Sequence, residues 1–379
     1  MTTPLPRRAY LGAELPGDRE AFSPEGVRIA GVIEGTMAAR ADLRAGDVLV
    51  SIDGHIVHDL RTLAAALRIA GHAATVELIV LRDGVHHVTR TDVVAVPLEP
   101  DARYGALDVG DARLRTILTC AQTPRALVLV IQGIACESID FALDPDAPLG
   151  ALVAGWAQAG YDALRFDKRG VGDSEGPPCA ETDFHTELAD ARAALELARE
   201  TAAQRNVPLV VFGHSVGGII ASQLARNVAG VIVYGTPVMR WLDCLLDSTE
   251  RQLRMRGATS AEIAAQLAAI QNLAKTGELN GRSAAYHEQL HALDLEAAWR
   301  EVDAPVLVVR GEHDWVVRPD DQSRIADLAP GTTSVIDLPG LDHLFGWHAG
   351  RVASLRDYGS GRADASLVDA TVAWLDRLR

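Results

Sequence analysis

The spacing of apolar residues changes character about a quarter of the way along the chain. Before that point, short runs with the two-residue period of β-strands predominate. Asp83-Gly84 separates two of them and is a strong hairpin signal, because both residues accept a positive φ. Leu60–Ala70 carries its apolar residues on one helical face. We expect a small β-rich domain over residues 8–96, then a proline-bearing linker, 97–104. The predicted strands are Gly26–Ile33, Asp47–Ile52, Thr75–Leu81 and Val85–Val94.

Beyond the linker, strand and helix patterns alternate. Continuous apolar runs such as Ala126–Ile131 are typical of strands buried on both faces of a parallel sheet. Segments with helical spacing, such as Thr182–Glu200, separate these runs. The alternation predicts an α/β domain with a mostly parallel sheet over residues 105–379. Its other predicted elements are strands Ala163–Phe166, Leu209–Phe212, Gly230–Tyr234, Val306–Arg310 and Val335–Leu338, and helices Leu149–Ala159 and Val216–Ala225.

The alternation stops between Val238 and Asp303. This stretch is charged and helical in spacing, and it carries no strand signal. We expect residues 238–303 to form a helical insertion packed over the carboxyl edge of the sheet, where it would shape a pocket. Four aromatic residues either line that pocket or pack in the core, and the sequence favours neither: Trp241, Trp299, Phe345 and Trp347.

Composition narrows the class of protein. The chain has 379 residues, of which 48% are hydrophobic and 23% charged, so it can bury a core and fold as two domains. Its net charge of −15 argues against nucleic acid and anionic membrane surfaces as partners. No window approaches a membrane span, and Met1–Tyr10 lacks the apolar stretch of a signal peptide. We therefore expect a cytoplasmic protein.

The cysteines suggest neither a disulfide framework nor a zinc site. Cys120, Cys136, Cys179 and Cys244 are scattered and form no CxxC pair. We expect all four to be reduced thiols with structural roles.

The candidate nucleophile lies in Gly213-His214-Ser215-Val216-Gly217. An apolar strand leads into this G-x-S-x-G sequence and a helical run leads out, the context in which a serine is held on a strained turn above a sheet. The helix dipole at such a turn favours developing negative charge. We predict that Ser215 is a nucleophile and that His214 is structural. The alternative is that Ser215 is an incidental serine in a glycine-rich turn between a strand and a helix.

A serine hydroxyl needs a base, and the base needs an orienting acid. Asp314 follows the predicted strand Val306–Arg310, and His343 follows the next one, so both fall at the edge where Ser215 lies. We predict Asp314 as the acid and His343 as the base. The competitors are Glu312 and, less often in such folds, Asp243 for the acid, and His348 for the base.

Acyl transfer also needs two donors for the oxyanion. We predict the backbone N–H of Val216 as one donor. The turn Gln132-Gly133-Ile134 follows strand Ala126–Ile131, and we choose the N–H of Ile134 as the second, an ordinary tight turn being the alternative.

Together these residues resemble the α/β-hydrolase superfamily over roughly Tyr104 to Arg379. The string from Arg165 to Ser174, RFDKRGVGDS, is similar to a signature of its esterase and acyl-hydrolase branches, in which the charges are mainly structural. The family often has His-Gly in the oxyanion turn, where this chain has Gln132-Gly133. The resemblance implies a Ser–His–Asp hydrolase without metal or organic cofactor, with residues 238–303 in the lid position.

The first part of the chain resembles a PDZ domain of the type found in bacterial trypsin-like stress proteases. The run from Gly35 to Leu49, GTMAARADLRAGDVL, and the later Ile52-Asp53-Gly54 carry the resemblance, although Asp42 stands where glycine is usual. It implies that the loop Tyr10-Leu11-Gly12 binds a peptide's terminal carboxylate, with the peptide adding as a strand between Ala13–Leu15 and the Leu60–Ala70 helix. A PDZ fold used only for internal packing is equally compatible.

These features predict a serine hydrolase for an ester or thioester, acting on a small-molecule or carrier-bound acyl substrate and recruiting a protein C-terminus through the PDZ domain. A peptidase or an acyltransferase could use the same three residues. In a different class, the chain would be a non-catalytic PDZ scaffold. The ordered Ser215, Asp314 and His343 favour the enzyme.

Overall fold

The computed structural model of the chain describes residues 5–17 and 21–378. Residues 18–20 of the predicted first domain and residue 379 of the second lie outside the described residues, as does the start of the segment considered for a signal peptide. In the described part, no helix is both long and apolar enough to cross a membrane.

The N-terminal part is built around a twisted antiparallel sheet. The strands run in the order β2-β3-β5-β7-β8, β6 pairs with β5, and β1 pairs with β4 in a separate two-stranded ribbon. Asp83 and Gly84 adopt φ values of 50° and 77°, the positive pair expected at the β7–β8 turn. The elements are β1 Ala13–Glu14, β2 Phe22–Ser23, β3 Gly26–Arg28, β4 Gly31–Val32, α1 Met37–Arg40, β5 Val48–Ile52, β6 His55–Ile56, α2 Leu60–Ala70, β7 Thr75–Arg82 and β8 Val85–Asp92.

The single strand predicted over Gly26–Ile33 is wrong. The chain changes partner in the middle of this run, because the Ile29 N–H bonds to the Asp47 carbonyl while the Ala30 N–H bonds to the Glu14 carbonyl. The apolar run therefore serves two sheets, which its spacing could not reveal. Helix α2 has the bounds that the sequence predicts, and a reciprocal capping box between Asp59 and Thr62 fixes its start.

The second part of the chain has an α/β-hydrolase fold. Its sheet contains eight strands among the described residues, in the order β18-β17-β14-β13-β11-β12-β10-β9. Neighbours from β18 to β12 are parallel, and β10 is antiparallel to both β12 and β9. The strands of this sheet are β9 Ala102–Asp108, β10 Arg113–Thr119, β11 Ala126–Ile131, β12 Tyr161–Phe166, β13 Leu209–His214, β14 Gly230–Tyr234, β17 Val306–Gly311 and β18 Thr333–Leu338, and a separate pair consists of β15 Glu278–Leu279 and β16 Arg282–Ser283.

Helices cover both faces of this sheet, which explains its continuous apolar strands. Leu127 and Leu129 of β11 pack with α4, α5 and α8–α10 on one face, while Val128 and Val130 pack with α3 and α12 on the other. The helices are α3 Pro148–Gln158, α4 Phe184–Arg205, α5 Val216–Leu224, α6 Trp241–Met255, α7 Ser260–Thr276, α8 Ala284–His291, α9 Leu295–Arg300, α10 Pro319–Leu328, α11 Arg351–Arg356 and α12 Ala365–Leu375.

One expectation about an irregular segment needs correction. The insertion 238–303 is not purely helical, because β15 and β16 form a short hairpin within it. The segment predicted as the linker, 97–104, contacts the second part of the chain. Strand β9 begins at Ala102, and Glu99 forms a 2.7 Å ion pair with buried Arg165. Charge pairing with the hydrolase domain thus orders this segment.

The two parts of the chain are fastened together by arginines of the N-terminal part. Arg7 forms ion pairs of 2.6 Å with Asp140 and 2.5 Å with Asp173, and both aspartates are buried. Arg68 of α2 donates to the carbonyl of Gly170 at 2.7 Å, and Arg61 pairs with Glu278 in the insertion at 2.8 Å. Helix α2 therefore packs against the hydrolase domain.

Candidate active site

Ser215 lies at the junction of β13 and α5 with a strained backbone, φ 54° and ψ −120°. Glycines permit this turn. A Cβ at Gly217 would overlap the carbonyl oxygens of Ile131 and Gln132, and one at Gly218 would overlap the Thr236 side chain. The turn directs the serine away from the sheet at a helix N-terminus, as the G-x-S-x-G pattern predicts.

Asp314 and His343 lie on the loops after β17 and β18, and their side chains meet. His343 Nδ1 is 3.0 Å from Asp314 Oδ2, and both residues are buried. The other carboxylate oxygen accepts the N–H groups of Val316 and Val317 at 2.8 and 3.0 Å. Burial alone would raise the pKa of Asp314, but His343 and these donors outweigh it and lower the pKa. Asp314 is thus held ionised against the imidazole.

Sequence reasoning missed Gly235, which packs directly against the side chains of Asp314 and His343. It follows β14 directly and has a φ of +58°. A Cβ there would lie 2.7 Å from His343 Nδ1 and 3.1 Å from Asp314 Oδ2. Only a residue without a side chain leaves room for the imidazole. Its one sequence signal is its place at the carboxyl end of a strand neighbouring that of Ser215.

Two of the three competitors have other partners, and the third is exposed. Glu312 accepts the N–H of Gly340 at 2.9 Å, and His348 pairs with Asp342 at 3.0 Å. Asp243 is exposed on the first turn of α6.

The His214 ring lies next to that of His343, with 5.0 Å between the ring centroids. Its Nε2 is 2.8 Å from the carbonyl of His343, and burial lowers its pKa to about 3, so its neutral ring can donate this hydrogen bond. His214 therefore supports the His343 backbone, in line with the structural role expected for it.

Ser215 and His343 line one cavity of about 1100 Å³ between the sheet edge and the insertion. No hydrogen bond joins the Ser215 hydroxyl to the His343 ring among the described residues. Such bonds are often long in free enzymes and tighten with substrate. The insertion contributes Trp241 and Ile270 to the wall, whereas Trp299 is fully buried in the core.

The amides expected to donate to an oxyanion are those of Val216, which follows Ser215, and Ile134, which lines the same cavity as Ser215. In the hydrogen-bond pattern of the described chain, neither the N–H of Val216 nor that of Ile134 has an acceptor. Gly133 brings the second loop close, because a Cβ on it would lie 3.3 Å from the Cβ of Ser215. Both amides are thus available as donors in the vicinity of Ser215.

The expectation of four reduced thiols is wrong, because Cys136 and Cys179 form a disulfide. It ties the loop after β11 to a short 3₁₀ helix, Cys179–Glu181, across 43 residues of sequence. The fold brings these distant loops together, and cysteine spacing alone cannot show such a pairing. Cys120 and Cys244 are free.

The described residues contain no group of three or more histidine, cysteine or acidic side chains placed to hold a metal ion.

In the N-terminal part, Tyr10-Leu11-Gly12 leads into β1, and Gly12 has a φ of +67°. No acceptor is found in the described chain for the N–H groups of Leu11 and Gly12. The free amides of this loop lie next to the edge of β1.

Comparisons with known proteins agree with this architecture. A PDZ family model matches residues 28–82. A magnetosome formation protease, MamE, from Magnetospirillum gryphiswaldense is 40% identical over 82 residues, which are 22% of this chain and 10% of that protein. The chain thus spans a tenth of that relative's length, and the N-terminal part is a PDZ domain.

The fold of the second part recurs in solved enzymes. A soluble variant of monoglyceride lipase from Saccharomyces cerevisiae superposes with a TM-score of 0.52 at 16% identity, over 75% of this chain and 98% of that one. Est1E from Butyrivibrio proteoclasticus gives 0.50 at 15% identity, over 72% and 100%. The model of the family described as serine aminopeptidase, S33, matches residues 122–345, more than half of the chain. The chain therefore belongs to the serine aminopeptidase S33 family of α/β-hydrolases.

Proposed function

We propose that the chain is a serine hydrolase that cleaves an ester or a thioester through an acyl-enzyme. The observation that carries the proposal is the shared cavity, onto which both the strained Ser215 and the Asp314-paired His343 open. A strained nucleophile, a base and an orienting acid are the three parts that acyl transfer to serine requires.

In the proposed mechanism, Ser215 Oγ attacks the acyl carbonyl while His343 Nε2 takes its proton. Asp314 holds the proton on Nδ1 and stabilises the imidazolium. The N–H groups of Val216 and Ile134 donate to the oxyanion. Collapse breaks the bond to the leaving group, which takes the proton from His343. Water, deprotonated by His343, then attacks the acyl-enzyme and releases the acid and Ser215.

The walls of the cavity favour an apolar acyl group. The insertion supplies the side chains of Leu245, Leu253, Ile270 and Leu273 to a volume large enough for a drug-sized ligand. An aminopeptidase must also pair the charged amino group of its substrate. The carboxylates on the wall are poor partners for that group, because Glu137 and Asp144 are exposed to solvent and Asp342 is buried and already paired with His348. We therefore rank an acyl ester or thioester above a peptide.

The PDZ domain would recruit a partner by its C-terminus. The free N–H groups of Leu11 and Gly12 suit a terminal carboxylate, and the open edge of β1 suits an added strand. Titration with a peptide bearing either a free or an amidated C-terminus tests this role. Tighter binding of the free carboxylate supports it, and equal affinity counts against it.

The Cys136–Cys179 disulfide bears on the compartment. Disulfides persist in oxidising compartments and are rare in the cytosol. We therefore favour an oxidising compartment over the cytoplasmic location expected from composition.

The activity is tested with a panel of p-nitrophenyl esters, acyl thioesters and aminoacyl p-nitroanilides, with Ser215→Ala as the control. Ester or thioester turnover that Ser215→Ala abolishes supports the proposal. Faster anilide cleavage would favour a peptidase, and acyl transfer to an added alcohol in preference to water would favour a transferase. No turnover on any probe, together with unchanged partner binding by Ser215→Ala, would favour the scaffold.

A further inference from the structure

Lys168 is a buried cation that contacts residues 133–135. This segment carries the N–H of Ile134 and is called the oxyanion loop below. Lys168 lies in the loop after β12, where its Nζ donates to the carbonyls of Gly133 and Ala135 and pairs with Glu187 of α4 at 3.0 Å. Lys168 is not among the described residues that line the cavity. Any effect on substrate must therefore pass through the loop.

Arg282, from β16 of the insertion, binds the carbonyl of Ile134, the residue between Gly133 and Ala135. Its Nε donates to the Ile134 carbonyl at 2.9 Å and its Nη1 to the Cys179 carbonyl at 2.9 Å. The same side chain pairs with Glu187, so one carboxylate of α4 serves both cations. Three successive carbonyls, from Gly133 to Ala135, thus point toward two buried positive charges.

Because the Gly133 carbonyl is held by Lys168, the geometry of the peptide bond determines where the N–H of Ile134 points. In a trans peptide, the C=O of one residue and the N–H of the next point in opposite directions. With the Gly133 carbonyl bonded to Lys168, the N–H of Ile134 is turned away from Lys168. It faces a side on which the described chain offers no acceptor and Gly133 approaches Ser215.

We infer that Lys168 is a positioning residue that aims the N–H of Ile134 at the oxyanion, while Arg282 holds the next carbonyl of the same loop. The inference rests on the proposed function, since an oxyanion forms only if Ser215 is acylated. Without Lys168 the Gly133–Ile134 peptide could rotate, and a preorganised donor would be lost at the transition state rather than in substrate binding.

The test is Lys168→Met, which keeps most of the length of the side chain and removes the donor. We expect kcat on a p-nitrophenyl ester to fall on the order of 100-fold with KM within about threefold of wild type, because one oxyanion donor contributes a loss of that size. The affinity for an alkyl boronic acid, a tetrahedral mimic, should fall in parallel with kcat/KM. Lys168→Gln retains a donor and should recover part of kcat, and it provides a second reading if Lys168→Met does not fold.

Arg169→Met is the matched control. Arg169 is the next residue, is also buried, and pairs with Asp190 one turn along α4, but its bonds go to Asp111 and the Val109 carbonyl instead of the oxyanion loop. We expect Arg169→Met to lower Tm and leave kcat within about threefold, the size of a non-catalytic effect. Folded Lys168 variants with wild-type kcat and boronate affinity, in an active enzyme, would overturn the positioning role alone. A wild-type protein without hydrolysis or Ser215 acylation would overturn the proposed function as well.

Discussion

His343 Nδ1 lies 3.0 Å from Asp314 Oδ2, in a site where both side chains are shielded from solvent. The second oxygen of Asp314 is held by two backbone amides, so the carboxylate has one orientation available for the imidazole. This arrangement fixes the tautomer in which Nε2 is free to accept a proton.

Asp314→Asn should lower kcat on the order of 10⁴-fold, because an amide at this position favours the wrong imidazole tautomer. Steady-state kinetics on the best p-nitrophenyl ester measure the effect, and circular dichroism checks the fold. Asp243→Asn is the control and should be nearly silent. A silent Asp314→Asn beside an inactive Asp243→Asn would transfer the role of the acid to Asp243.

Gly235→Ala should lower kcat, whereas the same change at Gly84 should not. Its Cβ would collide with the His343 ring and push it away from Asp314. Gly84→Ala makes the same change at another positive φ, on a turn with open space around it. The positive φ should cost each variant about 1–2 kcal/mol in the free energy of unfolding, and the collision should add about 1–3 kcal/mol for Gly235→Ala alone. Only Gly235→Ala should lose kcat, and equal activity of the two variants would show that the imidazole tolerates the collision.

Opening the disulfide should destabilise the hydrolase domain. Cys136 and Cys179 close a loop with a sequence separation of 43, and the chain-entropy model gives a loss of up to about 4 kcal/mol for such a loop. Urea unfolding of Cys136→Ser/Cys179→Ser against wild type measures it. Cys120→Ser, at a free thiol, is the control. Four alkylatable thiols in the native, non-reduced protein would contradict the pairing.

Asp167 should give the stability of the protein a pH dependence below neutrality. It is buried with Ser138 and the Ile139 amide as partners, and burial raises its pKa to about 7. Between pH 4 and 7 the folded state holds a proton that the unfolded chain releases, so stability falls as pH rises through this range.

Asp167→Asn imitates the protonated acid and should remove this component. The free energy of unfolding is measured by urea titration at several pH values. That of wild type should fall relative to that of the variant as pH rises from 4 to 7. Parallel profiles for the two proteins would show that Asp167 is already ionised at pH 4.

Local chemistry made much of this architecture predictable. The Asp83-Gly84 turn, the α2 bounds and the alternation of buried strands follow from φ preferences, capping and period, which act over a few residues. Ser215, Asp314 and His343 fall at one sheet edge because parallel strands carry their following loops to the same side.

What the sequence could not reveal depends on contacts between distant segments. Three contacts join loops that are far apart in the chain. They are the Cys136–Cys179 bond, the close packing of His343 against Gly235, and the hydrogen bond from Lys168 to the Gly133 carbonyl. The hairpin in the insertion is only two residues per strand, too short for a period to register.

The central claim is that Ser215 becomes acylated, and labelling with a fluorophosphonate followed by peptide mass spectrometry tests it most directly. The account predicts one adduct, on Ser215, that forms in step with the loss of ester hydrolysis and is absent from His343→Ala. Hydrolysis that persists in Ser215→Ala, or an adduct on another residue that tracks inactivation, would contradict it.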